Sequence, residues 1–412
     1  MFNKYFPKKM LYLVTFILLL SCSSTPNATD TKIVIPFAIE QRKIVLDAAV
    51  NGSAGKYFWD SGANFSVVSG MRYRFTRNPT MLPVQGAGVT VPFFDVKSLR
   101  FGGVEVKSLL AVKQVEVKSP SLAARQSDFP MRTVSYLGLQ GMLSNIVFGG
   151  FWVELSFSRN EIVLHSEKPV HFANAKHAEL KLQQGEQAHG LFYLPIDIDG
   201  KEFSFLIDTG LPHAFFFPSA ITSNKKPDDL RQIASNLEYG DHFLVKTNSV
   251  SFLDRTYNDR SIMTNSYVPM RWTGNYDVGI IGLEFFEHYD LLIDYRGLYD
   301  NTMTEGMYYI PITPPDDRNY GFYSFLTEAP EFGIINFYYH RRGLEITCIL
   351  TDSPAYETYG LRPGSIISKI NGEPARNFTI ADMLDPQFFR GLTDFSIWLT
   401  GRGEELILVQ SE

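Results

Sequence analysis

Two aspartates stand out for the residues around them. Asp60 ends the run Gly55-Lys56-Tyr57-Phe58-Trp59 and is followed by Ser61 and Gly62. Asp208 ends Gly200-Lys201-Glu202-Phe203-Ser204-Phe205-Leu206-Ile207 and is followed by Thr209 and Gly210. A carboxylate on the turn after an apolar strand, then a hydroxyl, then glycine, has a specific use. Glycine permits tight turning beside the acid, and the hydroxyl can brace a second such loop by hydrogen bonds. If two copies meet about a pseudo-two-fold axis, like-charge repulsion prevents joint ionisation, so the carboxyls share one proton and titrate as a pair. One then acts as a base toward bound water while the other donates to a carbonyl, with no covalent enzyme intermediate.

The elements that would position them recur. When residues 31–168 are laid beside 178–315, three features return in the same order. The acid turns come first, each on a strand opened by Gly-Lys. A strand-turn-strand stretch follows, Lys97-Ser98-Leu99-Arg100-Phe101-Gly102-Gly103 against Asn248-Ser249-Val250-Ser251-Phe252-Leu253-Asp254. Last comes Gly138-Leu139-Gln140-Gly141-Met142 against Gly279-Ile280-Ile281-Gly282-Leu283. From Asp60 to Gly141 and from Asp208 to Gly282 the separations are 81 and 74 residues. A lone Asp-Ser-Gly or Asp-Thr-Gly is a common capped turn; the ordered recurrence carries the reading.

Short apolar runs such as 44–50, 89–94 and 104–112, broken by Gly, Asn and Asp, predict a mainly β body. The 14% aromatic content, with 33 Phe, agrees. A length of 412 residues implies two or three domains. The net charge of −6, with adjacent basic residues only in pairs such as Lys8-Lys9, gives no reason to expect nucleic-acid binding.

Over residues 31–315 the paired strings Phe58-Trp59-Asp60-Ser61-Gly62-Ala63 and Leu206-Ile207-Asp208-Thr209-Gly210, with Gly279-Ile280-Ile281-Gly282 downstream, resemble pepsin-type and retropepsin-type aspartic proteases. The resemblance implies two lobes, 31–168 and 178–315, with Asp60 and Asp208 as catalytic dyad. Ser61, Gly62, Thr209 and Gly210 would support it, and the Gln85-Gly86-Ala87-Gly88 region would be a flap. It implies a peptide or protein substrate and no cofactor. Trp59, Gln140 and Leu211 depart from the family pattern. Two readings stay open: an aspartic endopeptidase, and an inactive protease-fold scaffold that binds peptides or protein partners.

Pro314 and Pro315, then Asp316, Asp317 and Arg318, mark a boundary. Beyond it Asp352-Ser353-Pro354-Ala355, Gly360-Leu361-Arg362-Pro363-Gly364 and Ile367-Ser368-Lys369-Ile370-Asn371-Gly372 resemble a PDZ domain, a small α/β module over 325–412, with Ser365 where such domains often carry Asp. The resemblance implies peptide binding beside a strand edge, with Phe332, Gly333 and Ile334 as the loop that holds a terminal carboxylate. Packing onto the lobes is the other use of such a module.

At the N-terminus Lys4, Lys8 and Lys9 precede an apolar run, 10–20, too short to span a bilayer. Leu19-Leu20-Ser21-Cys22 resembles the lipobox of bacterial lipoproteins. It implies a signal peptide over 1–21, diacylation of Cys22, a tether over 22–30 and a lipid-anchored envelope location, with Ser23 pointing to the outer membrane. Cys348 is then left without a disulfide partner and is expected in a buried strand. The eight histidines show no zinc spacing, so no metal is expected. Gly102-Gly103 and Gly149-Gly150 are expected to be hairpin turns. The oligomeric state is not legible.

Overall fold

The structure, a computed structural model, describes residues 32–40, 43–63, 65–68, 76–77, 84–86, 89–91, 93–113, 138–182, 190–211, 215–216, 225–235, 242–265, 278–298, 305–312, 333–340, 342–378, 394–399 and 405–409. Cys22 and the apolar run before it lie outside them. Among the described residues strands dominate, and α-helix is confined to Pro354–Glu357.

The duplication holds strand by strand. In space, the sheet of the first half runs Ala38–Glu40, Lys43–Val50, Ser53–Asp60, Gly141–Ser144, Ser66–Val68, Val104–Lys113, Phe93–Phe101, Thr76–Arg77. That of the second runs Lys181–Leu182, Phe192–Ile198, Lys201–Asp208, Val278–Gly282, Phe215–Phe216, Arg255–Asn265, His242–Phe252, Leu230–Ser235. Each acid strand has its parallel neighbour in the same place, Ser144 opposite Asp60 and Gly282 opposite Asp208. Strands flanked and covered in this way accept unbroken apolar runs. Tyr57-Phe58-Trp59 and Phe205-Leu206-Ile207 are accordingly buried without alternation.

A six-stranded sheet joins the halves with three strands from each, in the order Lys32–Pro36, Glu161–His165, Trp152–Ser156, Tyr289–Asp294, Met307–Pro311, Lys176–Ala178. The halves meet antiparallel at its centre, where Glu154 lies opposite Leu292. One continuous apolar core runs through both lobes and this base.

Gly102-Gly103 turns the chain between Phe93–Phe101 and Val104–Lys113, with φ of 51° and 86°. Gly149-Gly150 is not a hairpin turn. It follows the 3-10 turn Asn145–Phe148, which takes the chain out of the first lobe's sheet and into the base sheet.

Residues 313–332, including the proline boundary, lie outside the described residues. The unit that follows is built on Ile334–His340, Gly343–Leu350, Ile366–Ile370, Asp394–Leu399 and Glu405–Val409. It does not stand apart, because Ile233, Ala234 and Ser235 of the second lobe pair antiparallel with Leu350, Ile349 and Cys348. The two form one 14-stranded sheet. Ile233, Leu244 and Met263 complete the apolar core in which Cys348 is fully buried. An otherwise open edge of the second lobe is thereby covered. The short helix starts as its sequence predicts: Pro354 fills the first turn and Ser353 Oγ accepts from Tyr356 N at 3.3 Å.

Candidate active site

Each acid strand ends in a turn closed on the aspartate itself. Asp60 O accepts from Ala63 N at 3.4 Å, and Asp208 O from Leu211 N at 3.1 Å. The side chains cap their own turns, Asp60 Oδ1 accepting from Gly62 N at 3.0 Å and Asp208 Oδ1 from Gly210 N at 2.8 Å.

The two turns are then locked together reciprocally. Ser61 N donates to Thr209 Oγ1 at 3.0 Å and Thr209 N to Ser61 Oγ at 2.9 Å. The hydroxyls reach past each other, Ser61 Oγ donating to Ile207 O at 2.8 Å and Thr209 Oγ1 to Trp59 O at 2.9 Å. Ser61 and Thr209 are both buried, so water does not compete for these bonds.

The brace sets each acid against the opposite acid loop at the junction of the lobes. It also changes the reason for the glycines. Neither Gly62 nor Gly210 has a positive φ. A Cβ on Gly62 would stand 2.4 Å from Asp208 Cγ, and one on Gly210 2.6 Å from Asp60 Cγ. Each glycine makes room for the opposite lobe's carboxyl, a reason distinct from the turn-permitting role expected from sequence.

Burial raises the protonation range of both acids. Asp208, 6% exposed, is pushed well above the ordinary carboxylate value by desolvation and then by the charge of Asp60 and the hydrogen bond between them. Asp60 is raised by burial, against which Lys43, the contact with Asp208 and the NH groups of its own turn favour its charge. Like charges this close oppose joint ionisation, so the two acids titrate as a pair.

No protein-family model matches this chain, and no curated protein does. A crystal structure of a retropepsin-like aspartic protease from Rickettsia conorii is similar at 14% identity with a TM-score of 0.21, over 33% of this chain and 92% of that one.

The departures from the family pattern are accommodated. Trp59 packs edge-on to Phe148 at 5.1 Å and donates its indole N–H to Asn145 Oδ1 at 2.9 Å. Gln140 sits against Gly55, where a Cβ would come within 2.2 Å of its Cγ. Leu211 packs beside Leu206 and Ile280, and its carbonyl accepts from Leu283 N at 2.7 Å. None displaces an acid loop.

Two residues at the site have no signature in the sequence. Asn145 is buried with both ends of its amide engaged. Its Oδ1 accepts from Trp59 Nε1 and from Tyr295 OH at 3.2 Å, and its Nδ2 donates to Ser61 O at 3.1 Å and Gly190 O at 2.7 Å. It ties the first acid loop to the second lobe. Lys43 is buried at the start of Lys43–Val50 and donates to the carbonyl of Gly210. In sequence it is the last of a polar group, Gln41-Arg42-Lys43, and resembles a solvated strand end.

The hairpin region expected as a flap is an antiparallel ribbon, with Gln85 opposite Thr90 and Gly86 opposite Val89, while Ala87 and Gly88 lie outside the described residues. In the C-terminal unit Gly333 is buried with φ of 56°, and its carbonyl accepts from Leu350 N at 2.7 Å. Ile334 opens the strand Ile334–His340; Phe332 lies outside the described residues.

Proposed function

We propose that this protein is an aspartic endopeptidase, lipid-anchored through Cys22 in a bacterial cell envelope, that hydrolyses peptide bonds with Asp60, Asp208 and a water. The observation that carries this reading is the reciprocal Ser61–Thr209 brace between duplicated loops, which sets the Asp60 and Asp208 carboxyls each against the other loop's glycine. With Asp60 as the anion of the pair, it takes a proton from water as the water oxygen adds to the scissile carbonyl. Asp208 gives its proton to the carbonyl oxygen, yielding a neutral gem-diol. On collapse Asp60 passes its proton to the leaving nitrogen, the C–N bond breaks, and a gem-diol hydroxyl returns a proton to Asp208. No cofactor enters this sequence.

The C-terminal unit would recruit the substrate as a PDZ-like module. In support, Ile334–His340 pairs with Gly343–Leu350 on one side and, among the described residues, with no strand on the other. An extended peptide can add at such an edge.

The test is cleavage of a mixed peptide library by the full-length protein in detergent from pH 3 to 8, with and without pepstatin. Wild type should cleave, and Asp60→Asn and Asp208→Asn should each abolish turnover. Absence of cleavage across the range would reject the enzyme and leave a peptide-binding scaffold.

A further inference from the structure

Lys43 is a cation in a place where burial is costly. It is 7% exposed, and an ammonium loses much of its hydration there unless charge compensates it. Its Nζ donates to the Gly210 carbonyl in the other lobe's acid loop and lies 5.1 Å from the Phe58 ring centroid. Neither contact supplies a counter-charge, but both acids of the site act on it electrostatically.

The other charged groups around it are committed elsewhere. Glu40, its cross-strand neighbour, pairs with Lys56. Asp47, on the same strand, is exposed. Among the described residues, the acids that act on it are Asp60, ending Ser53–Asp60, and Asp208, ending Lys201–Asp208 two residues before the Gly210 carbonyl it binds. With one proton on the pair, two carboxyls and one ammonium make a buried cluster of zero net charge.

We propose that Lys43 is a positioning residue for the acid pair, a built-in counter-ion from the first lobe that neutralises the singly ionised dyad and clamps the Asp208 loop through Gly210. The proposal rests on Asp60 and Asp208 being the reactive pair, and it adds a third group to their chemistry. Desolvation alone would drive the pair toward full protonation and Lys43 toward neutrality, and the mutual attraction opposes both. A positive charge favours every more ionised state of the pair, so it lowers both of its macroscopic protonation steps. Removing it raises both, and the window of the singly protonated form moves to higher pH.

The test compares full-length wild type, Lys43→Met and Lys43→Arg, each first shown by circular dichroism to be folded. The pH profile of kcat/KM for a cleaved library peptide should move upward on both limbs by about one unit or more in Lys43→Met. In Lys43→Arg it should stay near wild type. Carbon-13 titration of the Asp60 and Asp208 carboxyls, assigned with Asp60→Asn and Asp208→Asn, should show the same displacement without needing turnover. Superimposable profiles or titrations for wild type and Lys43→Met would overturn the proposal while leaving the protease reading intact. If wild type cleaves nothing, the protease reading fails and the carboxyl titration still decides whether Lys43 is the counter-ion. If Lys43→Met does not fold, the Lys43 Cε resonance of wild type decides: it should inflect as the dyad ionises, and a flat response would overturn the proposal.

Discussion

Ser61 and Thr209 each accept the other's backbone N–H on the side-chain oxygen, at 2.9 and 3.0 Å, across the junction between the lobes. Separation of the acids is therefore controlled by two hydroxyls. Thr209→Val keeps the shape but strands Ser61 N and the Trp59 carbonyl in a dry site, at a cost of about 2–4 kcal/mol in urea unfolding. Thr209→Ser, which retains the oxygen, should stay within about 1 kcal/mol of wild type. Turnover should fall at least tenfold in the valine variant alone. Equal stability of the two variants would mean that the brace contributes little.

Asn145 predicts a larger loss. Asn145→Leu removes the acceptor for Trp59 and Tyr295 and the donor to Ser61 and Gly190. Leaving four buried polar groups without it should cost about 3 kcal/mol or more. Denaturant midpoints measure this directly. A change below about 1 kcal/mol would show that water takes over its bonds.

The base sheet should sense acid independently of the dyad. Glu154 is buried; burial alone would raise its protonation point, but hydrogen bonds from His165 at 2.8 Å, from Arg159 and from His171 at 3.2 Å hold it at about 2. A folded value below the unfolded one stabilises the protein above about pH 4.5, and that contribution is lost as pH falls toward 2. Between pH 7 and pH 3 wild type should lose about 2 kcal/mol more than Glu154→Gln. Urea titrations of both proteins that fall in parallel would refute the assignment.

Much of the architecture is written locally. The acid turns, the glycine-flanked apolar elements and their order announce two related halves, because each is a short contiguous string with a turn chemistry of its own. What the strings leave out is whatever depends on meeting across the lobes. Lys43 finds its carbonyl 167 residues away, and Asn145 gathers partners up to 150 residues distant. Gly62 resembles a turn glycine until Asp208 is placed beside it. Ile233, Leu244 and Met263 lie on strands of the second lobe, yet they line the core of the C-terminal unit.

The strand Leu230–Ser235 belongs to two bodies at once, and this limits how the chain can be dissected. Cutting away everything after residue 332 would bare its backbone groups from Ile233 to Ser235 and uncover Leu244 and Met263. Such a sticky margin invites self-association. A shortened protein would then precipitate or swap strands for reasons unrelated to catalysis, and the two parts should melt as one cooperative unit.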